Sequence, residues 1–502
     1  MRRIAGLSLL ALAALGLRLG LVWAVSREQG QAATYTYEHG GIAENLLAGR
    51  GFTVWYLGVT GPTSQQAPFY PFLLAGAYKA FGIGSPAAVF AVRSLQCLAG
   101  TALVLLVVWL AWSLVPERPS LGWVAGWGAA VYPTHVYMVT HMQVAIWAAL
   151  LLTLLSAVVV SPRGRQSWLK AALAGVASGA VLLVEPILAI ALPIAALAFL
   201  LADIAAGEAQ APKNRSAGAV SRLKRFAAPL GRVAVMAGVA VLVIAPWLMR
   251  NYRVHGEMVF IKSTFGYAFW QANNPISWGT DKIPVPSAET TRLAHDGTLA
   301  GMHRAVNEAR LQTTYIDEVA LAPGGYREFQ GLSEPARSRL LSARAWEFIR
   351  SEPGNYLMLC LRRLRYFLLF DETNPKAANL AYRASTAIWL CLSVIGALAL
   401  RPQWRRLWPT LAIFGAVTAF HTLTIVSARF RIPIEPLSFV WAAAPLALLI
   451  DRLGPRRRLA PPAAGGRHAL QGPHRRLKSG VARQVRGERS ERRPQSRGPI
   501  RP

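Results

Sequence analysis

Two short stretches near the start of this chain hold residue types that could do chemistry. The first reads Tyr37-Glu38-His39-Gly40-Gly41-Ile42-Ala43-Glu44-Asn45-Leu46-Leu47-Ala48-Gly49-Arg50-Gly51-Phe52. Gly49 and Gly51 form a helix stop, so a short helix is predicted over about 41–48. Glu38 falls just before or at its N-terminus. Helix dipole and free backbone N–H groups favour a carboxylate there, so position alone marks an ordinary N-terminal acid. The second stretch, Gly61-Pro62-Thr63-Ser64-Gln65-Gln66-Ala67-Pro68-Phe69-Tyr70-Pro71, is an extended turn fixed by its prolines and leading into a helix from Phe72 to Phe81. Tyr70 suits a membrane-interface position.

Arginines form the second group of candidates. Arg18 interrupts an apolar run from Ile4 to Val25. It lies fifteen residues after Arg3, hence about 22 Å along a helix. Arginine inside a bilayer is a functional-site hypothesis by default, with snorkelling to the headgroups as the plain alternative. Arg429 and Arg431 precede Pro433; on an extended stretch they would share one side, with Phe430 opposite. Arg250 and Arg253 follow the apolar run 231–249. The planar guanidinium fork suits phosphate, and interface anchoring is the simpler reading of all four. His39, His141 and Glu185 fall near the same level and leave a divalent metal open as a cofactor. They are scattered, and Glu185-Pro186 also reads as a turn. His421 reads as a packing residue inside a helix.

The elements that must position these residues are set by composition. Of 502 residues 53% are hydrophobic, and they fall in unbroken blocks long enough to cross a ~30 Å hydrocarbon core. Backbone in lipid must satisfy its own hydrogen bonds, which makes the blocks helices. The expected class is an all-α polytopic membrane protein with about ten spans: 4–25, 87–114, 120–138, 142–160, 168–184, 187–203, 231–249, 384–400, 407–427 and 433–450. The net charge of +30 does not indicate nucleic acid, because the cations sit between blocks and in the tail. Pro116–Pro119, Ser161–Lys170, Asp203–Arg232 and Arg401–Arg406 all carry Lys or Arg, whereas the turns Tyr132–His141 and Val184–Pro186 carry none. That alternation puts both termini in the cytoplasm.

Two large loops then face outward, about 26–85 and about 250–383. Within the second, Tyr356–Phe370 is apolar but holds Arg362, Arg363 and Arg365. Each would cost ~2.5–3.5 kcal/mol in a span, so an interfacial amphipathic helix is expected. From Arg452 on, fifteen Arg/Lys stand against Glu488 and Glu491, with no aromatic residue. This is a disordered basic tail drawn to an anionic inner leaflet. The expected organisation is 1–250 (seven spans and the first outer loop), 251–383 (large outer loop), 384–451 (three spans) and 452–502 (tail).

Order and spacing of the loop residues carry a resemblance. Tyr37-Glu38, Ile42-Ala43-x-x-Leu46, Gly49-x-Gly51-Phe52, Gly61-Pro62-Thr63 and Ala67-Pro68-x-Tyr70-Pro71 resemble the first extracytoplasmic loop of bacterial GT-C glycosyltransferases. The group is the family 39 type, related to dolichyl-phosphate-mannose–protein mannosyltransferases and the lipid A aminoarabinose transferase. The resemblance continues through Pro246-Trp247-x-x-Arg250-Asn251-Tyr252, Gly266, Asn273-Asn274-Pro275 and Ala428-Arg429-Phe430-Arg431-Ile432-Pro433. It implies a GT-C fold and transfer of a sugar, with inversion, from a polyprenyl-phosphate donor outside the bacterial cytoplasmic membrane. The implied base is Glu38, and the implied donor-phosphate residues are Arg18, Arg429, Arg431, Arg250 and Tyr70. His39 would serve acceptor or metal. The family usually has Asp at the Glu38 position and commonly a second acid where His39 stands. Partners would be the lipid-linked sugar, a glycan, lipid or protein acceptor and membrane lipids, with no nucleic acid. A transporter or flippase of lipid-linked sugars and an inactive GT-C relative are the alternatives. Few charges at mid-span weigh against transport.

Overall fold

The computed structural model describes residues 2–26, 36–161, 167–209, 219–284, 297–321 and 324–453. The chain up to residue 454 forms one compact unit. Most of the basic tail, from 454 on, and the loop cations Arg163, Arg165, Lys213 and Arg215 lie outside the described residues.

The apolar blocks are helices at nearly the expected bounds. Six described helices are long and apolar enough to cross a membrane: Arg3–Ser26, Pro86–Leu114, Pro186–Ala205, Phe226–His255, Leu380–Ala399 and Glu435–Leu453. Ala145–Val160 and Trp168–Val184 are shorter apolar helices. The other two expected spans depart from a simple crossing. The block at 120–138 breaks into Pro119–Val131 and Pro133–Met138, because Pro133 cannot donate back into the preceding turn. The block at 407–427 becomes Trp404–Leu423, which starts on charged residues and ends early. Among the described residues each expected block is helical at least in part, and six satisfy the length and apolarity of a span. Helix Arg2–Ser26 exposes Ile4, Leu9 and Leu12, a surface suited to lipid.

At one end of the bundle Arg118 pairs with Asp451 at 2.9 Å and Arg406 with Glu117 at 2.8 Å. Three segments that the charge pattern assigns to one side thus meet there. At the other end the two large loops pack together. Thr53–Tyr56 and Val59–Pro62 pair as an antiparallel hairpin, Thr53 opposite Pro62. Tyr56 and Leu57 at its tip pack with Phe269, Ile316, Phe329 and Leu341 of the second loop. Helix Phe265–Ala272 approaches Glu334–Ser351 so closely that a Cβ at Gly266 would lie 1.8 Å from the Ser338 carbonyl oxygen.

The expected interfacial helix spans Pro353–Leu368. Its exposed face holds Leu357, Met358 and Leu361, as an amphipathic segment at a bilayer surface requires. Arg363 points inward, fully buried, and donates to Thr422 O (2.8 Å), Ala272 O (2.9 Å) and Asn273 Oδ1 (3.1 Å).

Candidate active site

Helix Tyr37–Leu47 starts four residues before the predicted bound and puts Glu38 in its first turn. Gly49 and Gly51, at φ 73° and 75°, end it in the left-handed region that glycine tolerates. Glu38 is exposed, and its Oε2 accepts from Gln66 Nε2 at 3.4 Å. It faces a cavity of about 370 Å³ roofed by both loops. Arg429 faces the same cavity from the far end of the chain. Its guanidinium makes no hydrogen bond or ion pair to a described residue and rests 5.4 Å from the Phe430 ring.

Arg431 behaves differently from Arg429. The segment is not extended: Phe430 N bonds Ser427 O, Ile432 N bonds Arg429 O and Ile434 N bonds Arg431 O, a series of turns. Turning sends the two arginines apart, against the expectation that they share one side. Arg431 is buried; it donates to Glu435 Oε1 at 2.7 Å and to the Phe367, Leu368 and Leu369 carbonyls at 2.8–3.0 Å. Those are unpaired carbonyls at the end of helix Pro353–Leu368, where a cation is favoured. His135 Nε2 completes the cluster at 2.8 Å from Glu435 Oε2.

Backbone carbonyls also engage the other arginines. Arg18 is fully buried and donates to Ala14 O, Ala130 O (both 3.1 Å) and Ala129 O (3.3 Å), capping helix Pro119–Val131. A Cβ at Gly100 would lie 2.8 Å from its Nε, so glycine makes the room. Arg250 donates to Thr63 O at 2.6 Å and Phe52 O at 3.1 Å, and Asn251 Oδ1 accepts from Ser64 Oγ at 2.8 Å. The Arg-Asn pair of the recognised motif thus staples the first loop to a helix end. Tyr70 is buried and donates to Gln96 Oε1 at 2.7 Å. None of Arg18, Arg250, Arg431 and Tyr70 lines the cavity.

Four other cations do line it: Lys262, Lys282, Arg310 and Lys376. Lys282 is paired with Asp281 at 2.7 Å. Lys376 Nζ has only soft neighbours, Met138 Sδ at 4.0 Å and the Tyr137 ring at 5.5 Å. Burial, then Arg310, Arg429 and Lys282, push its pKa well below the usual lysine value. Arg310 donates to His141 Nε2 at 2.5 Å and Asn307 Oδ1 at 3.3 Å. That bond makes His141 Nε2 an acceptor, and burial with neighbouring cations holds its pKa well below 6.5. These lysines and Arg310 carried no distinguishing sequence signal; the fold gathers them from four separate segments.

His39 is buried, edge-on to Tyr70 at 5.1 Å between ring centres. Burial, Lys262 and Arg429 keep its pKa well below 6.5. Glu185 caps helix Trp168–Val184 and lines the cavity, ahead of the turn at Pro186–Ile190. Among the described residues no three His, Cys, Asp or Glu side chains group as metal ligands, so His39, His141 and Glu185 are not gathered. His421 Nδ1 donates to Ile425 O (2.9 Å), and its ring stacks on Phe430 at 4.6 Å, a packing role.

The class these features define is a multi-pass helical membrane protein with a charged cavity roofed by its loops. No protein family matches the sequence, and no curated protein is similar to it. Several solved structures match it over most of its length, three of them as follows. An oligosaccharyltransferase from Archaeoglobus fulgidus, solved with Zn and sulfate, is 15% identical at a TM-score of 0.47, over 89% of this chain and 49% of that one. The same enzyme tethered to an acceptor peptide gives 16% and 0.48, over 89% and 50%. ArnT from Cupriavidus metallidurans bound to undecaprenyl phosphate gives 14% and 0.37, over 88% and 79%. The chain spans about half the length of the archaeal structures it matches.

Proposed function

We propose that this chain is a GT-C type glycosyltransferase. It moves a sugar from a polyprenyl-phosphate carrier to an acceptor hydroxyl on the extracytoplasmic side of a bacterial cytoplasmic membrane. Glu38 is the base. The observation that carries the reading is that Glu38 and the unpaired Arg429 line one cavity at the loop end of the bundle. Arg310 adds positive charge near Arg429, and Lys376 lies beside both, ready to take a proton when an anion enters.

The chemistry needs no more than this. A lipid-linked phosphate is already a good leaving group. The acceptor oxygen attacks the anomeric carbon in line as the bond from that carbon to the phosphate oxygen breaks. The acceptor proton passes to Glu38, and the electron pair of the broken bond leaves on the phosphate, whose charge meets Arg429 and Lys376. Attack opposite the leaving group inverts the anomeric centre. Arg18, Arg250, Arg431 and Tyr70 act by holding the loops and helix ends.

The test is transfer of labelled sugar from a polyprenyl-phosphate donor to cell-envelope acceptors by the reconstituted chain. Glu38→Gln should abolish transfer and leave binding of the lipid phosphate intact. Unaltered transfer by that variant would overturn the assignment.

A further inference from the structure

Two buried polar atoms on the cavity wall have no partner among the described residues: the Tyr56 hydroxyl and Gln65 Oε1. Tyr56 is 3% and Gln65 7% exposed, and both line the cavity. Leaving such an atom unsatisfied costs ~1–3 kcal/mol, so each calls for an occupant. Their neighbours are already engaged. Gln271 Nε2 bonds Tyr267 Oη at 2.8 Å and Asp317 Oδ1 at 2.9 Å, while Tyr326 donates to Asp317 Oδ2 at 2.9 Å.

We propose that the hairpin end of the cavity is a subsite for an uncharged sugar ring. The Tyr56 hydroxyl and the Gln65 side-chain carbonyl hold its hydroxyl groups, with the Trp55, Tyr56 and Tyr267 rings lining the same cavity. The proposal rests on the glycosyltransferase reading and names the ligand class at one end of that site.

The atoms decide the chemistry. Gln65 Oε1 is an acceptor and requires a donor. A phosphate or carboxylate offers none there. Glu334, Asp317 and Glu38 act electrostatically on Tyr56, and Arg337 opposes them. Burial and those carboxylates push the phenol well above its usual pKa, so it remains a donor. Tyr267 stands edge-on to Tyr56 at 5.6 Å, and the half-exposed Trp55 stands edge-on to Tyr326 at 5.4 Å at the cavity rim. Aromatic walls with a few convergent polar atoms suit the apolar faces and hydroxyl rim of a sugar. Arg429, Lys376 and Arg310 form a separate cationic group, none of them among the charges that act on Tyr56.

The experiment compares the full chain in nanodiscs with Tyr56→Phe and Gln65→Leu. Probes are undecaprenyl phosphate alone, undecaprenyl phosphate carrying a hexose, and free methyl hexosides added with undecaprenyl phosphate already bound. Binding is read by tryptophan fluorescence and by saturation-transfer NMR. Each substitution should weaken a sugar-bearing probe about three- to tenfold, the range for one hydrogen bond, and leave the bare lipid unchanged. Weakening of the hexose-lipid alone assigns the ring to the donor; weakening of the free hexoside assigns it to the acceptor. Wild-type affinity of both variants for every sugar-bearing probe overturns the subsite. Loss of bare-lipid binding in the unsubstituted chain would instead strike at the phosphate reading. Tyr56→Phe removes an oxygen that bonds no described residue, so folding is retained.

Discussion

Glu334 of the second loop accepts the Thr63 hydroxyl of the first at 2.7 Å, in a setting where Glu334 is 4% exposed. Ser64 N donates to the other carboxylate oxygen at 2.7 Å, and Ser263 Oγ joins the same oxygen. A buried carboxylate with three donors is a joint between the two loops that roof the cavity. Glu334→Ala would leave those donors buried and unpaired, at ~1–3 kcal/mol each. A thermal melt should fall by several degrees, and protease should cut within 53–64 sooner. Glu334→Gln should be nearly as harmful, since one amide face then meets donors with a donor. A melt unchanged in both variants would remove this joint from the account.

Glu38 is the sharpest functional test. Glu38→Gln keeps the shape and the contact with Gln66 but cannot take a proton, so transfer should fall by roughly 10²–10⁴. Glu38→Asp shortens the arm by one methylene and should retain part of the rate. Both should bind undecaprenyl phosphate like the unsubstituted chain. A Gln variant that loses the lipid as well would place Glu38 in binding rather than proton transfer.

Arg429 and Arg431 should separate cleanly. Arg429 makes no hydrogen bond or ion pair to a described residue, so Arg429→Ala should leave the melt within about a degree and weaken lipid-phosphate binding roughly tenfold or more. Arg431 neutralises Glu435 inside the protein and caps a helix end. Arg431→Ala leaves a buried carboxylate with His135 as its sole remaining ion-pair partner among the described residues, at ~3–5 kcal/mol. It should cost the fold first. Melting curves and lipid titrations on the two variants decide this.

That contrast shows what is legible in a sequence of this kind. Helix Trp168–Val184 coincides with its predicted span, and Pro86–Leu114 starts one residue early, because apolar length is a local property. Glycine stops and the position of Glu38 are local too. Which arginine stays open to the cavity and which meets a carbonyl is not local. It depends on which backbone carbonyls the fold leaves within reach: Arg18, Arg363 and Arg431 find them at helix ends, and Arg250 finds them in the first loop. Lys376 stayed unread for the same reason: nothing in Asn374-Pro375-Lys376 shows that Arg310 and Arg429 will surround it. The hairpin at 53–62 brings Tyr56 to the cavity only because the second loop packs on its tip.

Acid should unfold this protein through its loop histidines. His39 and His141 have pKa values well below 6.5, and His303, bonded to Tyr137 at 2.9 Å, is lowered to about 3, in each case chiefly by burial. The unfolded chain takes up these protons near pH 6.5 and the folded chain does not. Stability is therefore held above about pH 6.5 and lost as pH falls below it, by ~1.4 kcal/mol per pH unit per histidine. His303→Gln should reduce the slope by about one proton in denaturant titrations between pH 6 and 4. An unchanged slope would mean that His303 titrates in the folded protein.

Lys376 should show a conflict between stability and function. In the unliganded protein its pKa is depressed by burial and by Arg310, Arg429 and Lys282, so the unfolded chain binds a proton that the folded chain gives up. Stability then rises with pH through the window below the ordinary lysine value of about 10.4. Lys376→Met removes that cost and fills the same space with an apolar chain, so the unliganded variant should melt higher near neutral pH. The same change removes a charge-assisted hydrogen bond to the lipid phosphate and should weaken its binding about ten- to a hundredfold. An anion entering the cavity draws the proton back onto Nζ, so binding should tighten as pH falls and should take up protons. Calorimetry in two buffers of different protonation enthalpy measures that uptake. A lysine kept for structure would give the reverse pattern, with a lower melt for Lys376→Met and no proton uptake to lose.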